Sequence, residues 1–415
     1  MVNDFFVREL PNGMTLLGQR MDSVKSAALT FLVPAGASHD PEQAAGCASV
    51  LCEWCFRGAG ARDTHQFNDA LDALGCQRSE SVQSEHLQFA AAQLGTNTGA
   101  VLDLYADVLL RPALPEEAFE PSRALVAQDL AGLEDEPAHK ANVLLREKFY
   151  PHPMGRCVCG SQASLAALTA PAVRQFWREC FVPEGTILAV AGSFDWRAFS
   201  DQARRAFGDW PRRAAPAVPL RQAAGGVTHV PKESAQTHLA LAHRSVPFRD
   251  RRYYPARMAE MVLSGGMGSR LFTEVREKRG LVYAVAASYH SLKDHAGMFT
   301  YAGTTPQRAQ ETLEVVVGEL RRLAKGILPA EMARARTQLK TAIVMQGEST
   351  TARSNALAGD WYHLRRLRDL PEIALAIDAV TVDEVLDYLQ TCPAMDFTVL
   401  VLGPEAPDTT GIMER

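Results

Sequence analysis

The chain has 415 residues, 47% of them hydrophobic and 22% charged, with a formal net charge of -5 at pH 7. That length exceeds what one hydrophobic core usually serves, so two domains of about 200 residues are expected, and the composition excludes a disordered chain or a coiled coil. Charges of both signs are mixed throughout, which argues against nucleic acid or an anionic membrane surface as the main partner.

Taken in chain order, the first stretch, MVNDFFVRELPNGMTLL, places Asp4, Arg8 and Glu9 where a signal peptide would be apolar. No later uncharged run approaches the roughly 18 residues needed to span a bilayer, so a cytoplasmic chain is expected. The eight cysteines are scattered, with Cys76, Cys180 and Cys392 in apolar surroundings, and read as reduced core thiols. AALTFLV (27–33) reads as a strand, 41–57 as an amphipathic helix, 76–82 with 86–93 as a hairpin, and 97–110 and 115–135 as helices. A Thr-capped helix and a buried strand then occupy LTAPAVRQFWRECFVPEGTILAVAG (168–192). After the Pro/Ala-rich segment 209–226 come a strand at HLALAHR (238–244), a hairpin of 282–290 with 296–303 and a helix over 307–324. A second capped helix and strand, VTVDEVLDYLQTCPAMDFTVLVLG (380–403), close the series.

The two capped-helix segments match with Thr169 and Thr381 as N-caps, 212 residues apart. AALTFLV and HLALAHR lie 211 apart, LPEEAF (114) and LPAEMA (328) 214 apart, and FNDALDALG (67) and FTEVREKRG (272) 205 apart. Four pairs in one order, with offsets drifting as loops allow, predict an internal duplication. The expected fold class is therefore α+β with two homologous domains, 1–208 and 227–415, joined by the linker 209–226. Each would be a mainly antiparallel sheet with helices on one side.

Residues 46–58, GCASVLCEWCFRG, space Cys47, Cys52 and Cys55 as C-x4-C-x2-C. Iron–sulfur loops with that spacing need irregular backbone and a fourth cysteine, whereas this stretch has a helical pattern and reads as buried thiols. Cys157-x-Cys159 reads as packing, and no two histidines share metal-ligand spacing on one helix. SGGMGSRLFTEVREKRGLVYAV (264–285) lacks both phosphate-loop spacings. It does carry Arg276, Gly280 and Tyr283 within seven residues, a guanidinium fork and a phenol able to reach the same peptide carbonyls.

Together these stretches resemble the pitrilysin/insulinase (M16) family of zinc metallopeptidases, in particular its short two-domain members that include the mitochondrial processing peptidase subunits. The resemblance rests on LPNGMTLL (10–17), FRGAG (56–60), FYPHPMGRCVCGS (149–161) with the loop residue His152, VPEGTILAVAGSFD, and SRLFTEVREKRGLVY. Setting Phe56-Arg57-Gly58 on the family's Phe-Lys-Gly puts its H-x-x-E-H motif on Ser49, Val50, Leu51, Cys52 and Glu53, so both histidines and the glutamate base are absent. The third ligand position falls at Asp129, or at Gln128 with a one-residue slip.

What the resemblance implies is a chain without catalytic or metal-binding residues of its own, with no cofactor in this chain and zinc in a related partner subunit that keeps H-x-x-E-H. It would be the substrate-binding member of a heterodimeric peptidase acting on peptides, with Arg276 and Tyr283 contacting the substrate backbone. The alternative is a non-enzymatic structural or peptide-binding core-type subunit. An autonomous enzyme using Cys52 as nucleophile would need a base that the sequence does not offer.

Overall fold

Alternating and continuous apolar runs become two sheets in the computed structural model, which describes residues 5–413. The strands are β1 (Phe5–Glu9), β2 (Thr15–Arg20), β3 (Ser26–Val33), β4 (Gln77–Val82), β5 (Leu87–Leu94) and β6 (Ile187–Gly192), then β7 (Val227–Pro231), β8 (Thr237–Ser245), β9 (Val282–Ser291), β10 (Ala296–Thr304) and β11 (Thr398–Gly403). The first sheet has the order β1-β2-β6-β3-β5-β4 and the second β7-β11-β8-β10-β9. With β1 set aside, both follow one path, and each has a single parallel pair, β2 with β6 and β7 with β11, among antiparallel neighbours. That shared topology is the duplication read from the spacing, in an α+β fold.

The helices of the first half include α1 (Cys47–Trp54), α2 (Thr64–Ala73), α3 (Thr98–Leu110), α4 (Phe119–Gly132) and α5 (Pro137–Phe149). The expected helix over 41–57 is shortened to α1. Short 3-10 turns Ala37–His39 and Glu42–Ala44 precede it, with Pro41 between them and Gly46 in the left-handed region at φ 93°. Of the two expected caps, Thr381 accepts from the Glu384 amide at 3.2 Å in a capping box. Thr169 makes no such bond; Pro171 in its first turn has no amide to offer.

The compact units differ from two contiguous halves. Among the described residues one comprises 5–132, 156–220 and 346–369, and the other 133–155, 221–345 and 370–413. The helix Thr350–Leu364 from the second half lies on β2, β3 and β6, where Leu357 and Ala358 pack against Leu17, Leu32, Ile187, Ala189 and Ala191. In the other unit α5 lies on β8 and β11, with Ala141 and Leu145 against Ala240, Ala242, Leu400 and Leu402. The expectation of helices on one side is corrected accordingly: both faces of each sheet are covered. This is why ILAVAG and TVLVLG are buried at every position.

Burial of His243 is expected to contribute a loss of stability in acid. His243 on β8 is buried edge-on to Phe397, ring centroids 5.4 Å apart, and its Nδ1 has no hydrogen-bond partner among the described residues. Burial lowers its pKa to about 4. An unfolded histidine binds its proton below about pH 6.5, so between about 6.5 and 4 the unfolded chain holds more protons and stability falls as pH drops. His243→Gln is expected to flatten that slope in urea titrations run across the window, while an unchanged slope would place the acid sensitivity elsewhere.

Candidate functional site

Helix α1 is held at its N-terminus by a buried carboxylate. Asp40 accepts from the Gly46 amide at 2.7 Å and the Ala48 amide at 2.8 Å, satisfying two of the helix's unpaired donors. Burial raises its pKa to about 7, against the opposing pull of those amides and of Arg156, which also donates to the Asp40 carbonyl at 2.8 Å. The loop carrying Cys157 and Cys159 lies directly on the helix start. A Cβ on Gly46 would meet the Cys159 carbonyl at 2.7 Å, and Ser49 Oγ donates to the Val158 carbonyl at 2.7 Å.

None of the three positions matched to the zinc motif fits a metal. The Ser49 hydroxyl is committed to that loop carbonyl. The Cys52 thiol is buried and its pKa is pushed up, first by burial and then by the carboxylates of Glu80 and Glu53. Glu53 and Asp129 are both exposed, on α1 and α4, and Asp129 is near enough to Cys159 to help raise that thiol's pKa. Among the described residues no three His, Cys, Asp or Glu side chains are gathered so as to hold a metal ion. Cys47 and Cys55 are fully buried in the same core cluster, their pKa values raised chiefly by burial, so all three cysteines of this helix act as apolar packing atoms rather than nucleophiles.

Beside Cys52 and Glu53 a cleft of about 100 Å³ is lined by Phe56, Arg57, Asn68, Arg78 and Glu80. Arg78 lies over the Phe56 ring at 4.7 Å and donates to Glu80 at 2.9 Å. Burial raises the Glu80 pKa, opposed by Arg78 and reinforced by Glu53. Both residues stand on β4, the edge strand of its sheet. Sequence reading missed this pair; its signal was a strand, QRSESV, with charges where a covered strand would be apolar. Asp40 was also missed, because it lies six residues from the helix start it caps.

In the other unit the segment 264–285 places Arg276 and Tyr283 on two local irregularities. Arg276 is exposed on the widened helical turn Phe272–Glu277, its guanidinium 4.9 Å from the Phe272 ring centroid. The turn is anchored by Glu274, which pairs with Lys278 at 2.7 Å and Arg279 at 3.0 Å. Gly280 then reverses the chain with φ 59°, and its amide donates to the Arg276 carbonyl at 3.0 Å. Tyr283 is 72% exposed on the edge strand β9. There Val282 pairs with Thr304 and Ala284 with Gly303, so Tyr283 is the unpaired residue of a β-bulge. Widened turns and bulges aim side chains in directions that regular elements do not, and they recur at functional sites.

Residues 17–161 match the family description "Insulinase (Peptidase family M16)", and residues 167–339 match "Peptidase M16 inactive domain". An uncharacterized zinc protease of Mycobacterium bovis is 28% identical over 95% of this chain and 92% of its own length. The uncharacterized zinc protease YmxG of Bacillus subtilis is 25% identical over 95% of this chain and 97% of its own. A solved structure of a peptidase M16 inactive domain from Pseudomonas fluorescens superposes with a TM-score of 0.89 at 20% identity, covering 98% of this chain and 99% of that one. A protease from Helicobacter pylori gives 0.89 at 18% identity, covering 97% and 100%.

Proposed function

The chain belongs to the M16 peptidase family, and we propose that within it this is a non-catalytic, substrate-binding subunit of a heterodimeric peptidase whose zinc resides in a related partner subunit. The observation that carries the reading is an asymmetry between two segments of one chain. Ser49, Cys52 and Glu53 stand where the family's zinc chemistry would be and do not fit the metal, while Arg276 and Tyr283 stand exposed on specially shaped backbone. No hydrolytic step is assigned to this chain.

What its own side chains do is bind. The Tyr283 hydroxyl would donate a hydrogen bond to a peptide carbonyl or to the oxyanion that develops from it. The Arg276 fork would hold the neighbouring backbone carbonyls in register. Edge strand β4 offers unpaired backbone groups to which an extended peptide can add.

The purified chain alone is expected to show no peptidase activity and to retain no zinc after dialysis. Mixed with a family member that carries H-x-x-E-H, it is expected to give an activity that chelator abolishes. A zinc-dependent activity from this chain alone would refute the assignment, and a stable complex without peptidase activity would favour the structural, core-type role instead. Among the described residues no helix is long and apolar enough to cross a membrane. The cytoplasmic placement stays part of this proposal.

A further inference from the structure

Two of the eight reduced cysteines meet in a single turn. Cys157 and Cys159 flank Val158, and the turn is closed by the bond from the Gly160 amide to the Cys157 carbonyl at 3.0 Å, with Gly160 at φ 72°. A turn of this kind brings its first and third residues within the Cα separation of about 4.4–6.8 Å that a disulfide spans. The two thiols are already hydrogen-bonded to each other. They also differ from the cysteines of α1, which are sealed in the core: Cys157 is 9% exposed and Cys159 is half-buried, so a small reagent can approach the pair from solvent.

The hydrogen bond divides the roles of the two sulfurs. It pushes the Cys159 thiol up, helped by burial and by the charges of Cys157 and Asp129, so Cys159 keeps its proton and donates it. Cys157 is then the sulfur that ionises beside an S–H donor, the arrangement of an attacking and a resolving thiol. The turn is pinned to the start of α1. Between the two sulfurs the Val158 carbonyl accepts from Ser49 Oγ at 2.7 Å, and a Cβ on Gly160 would meet the Ala45 carbonyl at 2.3 Å.

We infer that Cys157 and Cys159 are a redox-active dithiol, a modification site at which a peroxide closes a disulfide across Val158. With hydrogen peroxide, the Cys157 thiolate attacks one oxygen and the O–O bond breaks. The other oxygen leaves as hydroxide and takes up the proton lost by Cys157, giving water and a sulfenic acid on Cys157. The Cys159 sulfur then forms the S–S bond, and the sulfenic oxygen leaves with the Cys159 proton as a second water. Two thiols are oxidised to one disulfide and one peroxide is reduced to two waters. The site lies in a different unit from Arg276 and Tyr283 and does not depend on the peptide contacts proposed for them.

The test treats the full chain, reduced and then freed of reductant, with hydrogen peroxide, alkylates the remaining thiols at intervals and maps the peptides by mass. The peptide holding both cysteines is expected to lose two hydrogens and two alkylation sites, reversibly with dithiothreitol, before Cys47 or Cys55 is modified. Cys159→Ser is expected to stop at a sulfenic acid on Cys157 that dimedone traps, and Cys157→Ser to give no dimedone adduct in that peptide. Absence of the Cys157–Cys159 bridge in the unaltered chain, or its formation no faster than oxidation of Cys47 and Cys55, would overturn the inference. The unaltered chain carries that comparison by itself, so the outcome stands whether or not the serine variants fold.

Discussion

Tyr283→Phe, assayed in the reconstituted pair, is expected to lower kcat by about 10²–10³-fold, the typical loss when one preorganised oxyanion donor is removed. The expectation follows from what the substitution leaves untouched. Tyr283 is 72% exposed and its hydroxyl makes no hydrogen bond among the described residues, so removing it should leave stability within about 0.5 kcal/mol. A tyrosine that only packs would give the opposite pattern, a change in stability with little change in rate. Arg276→Ala should act differently. Its fork is placed to hold ground-state peptide as well as the reacting one, so KM is expected to rise along with a fall in kcat. Steady-state kinetics on both variants, with complex formation checked by gel filtration, separates the cases. Unaltered kcat/KM in both would remove the substrate-binding role.

How much of this was legible beforehand depends on the range of the interactions involved. The hairpins β4–β5 and β9–β10, and the helices Thr98–Leu110 and Ala309–Leu323, are set by local alternation and 3.6-residue periodicity, and they fall where those patterns put them. The duplication was legible because spacing survives when identity does not. The expectation of an absent zinc motif rests on residue types alone, Ser49, Cys52 and Glu53 at the matched positions. The bulge at Tyr283 depends on the register of β9 against β10, which no local pattern encodes. Likewise the Asp40 cap is made across turns, and Arg78 on β4 is placed over the Phe56 ring, a contact between distant segments.

The exchange of helices between the two halves of the chain was the least visible feature, and it carries the largest expected effect on stability. A sheet whose strands are apolar on both faces needs two covers, and in each unit one of them comes from the other half of the chain. The second cover is α5 for one unit and Thr350–Leu364 for the other. These covers are fastened by polar bonds as well as packing. Buried Arg353 donates to Gln19 at 2.9 Å, and Thr30 meets Ser354 at 2.8 Å and Asn355 at 2.7 Å. Leu145→Ala and Leu357→Ala are therefore each expected to cost about 2–5 kcal/mol in denaturant unfolding, as for other fully buried leucines. A stronger result should follow from cutting the chain in the linker. Residues 1–208 alone would lack the 350–364 helix and leave α5 without its sheet, and 227–415 alone would suffer the reverse. Neither half is expected to unfold cooperatively, whereas mixing the two should restore a cooperative transition. A cooperative transition from either half by itself would mean that the exchanged helix is an accessory and not a wall of the core.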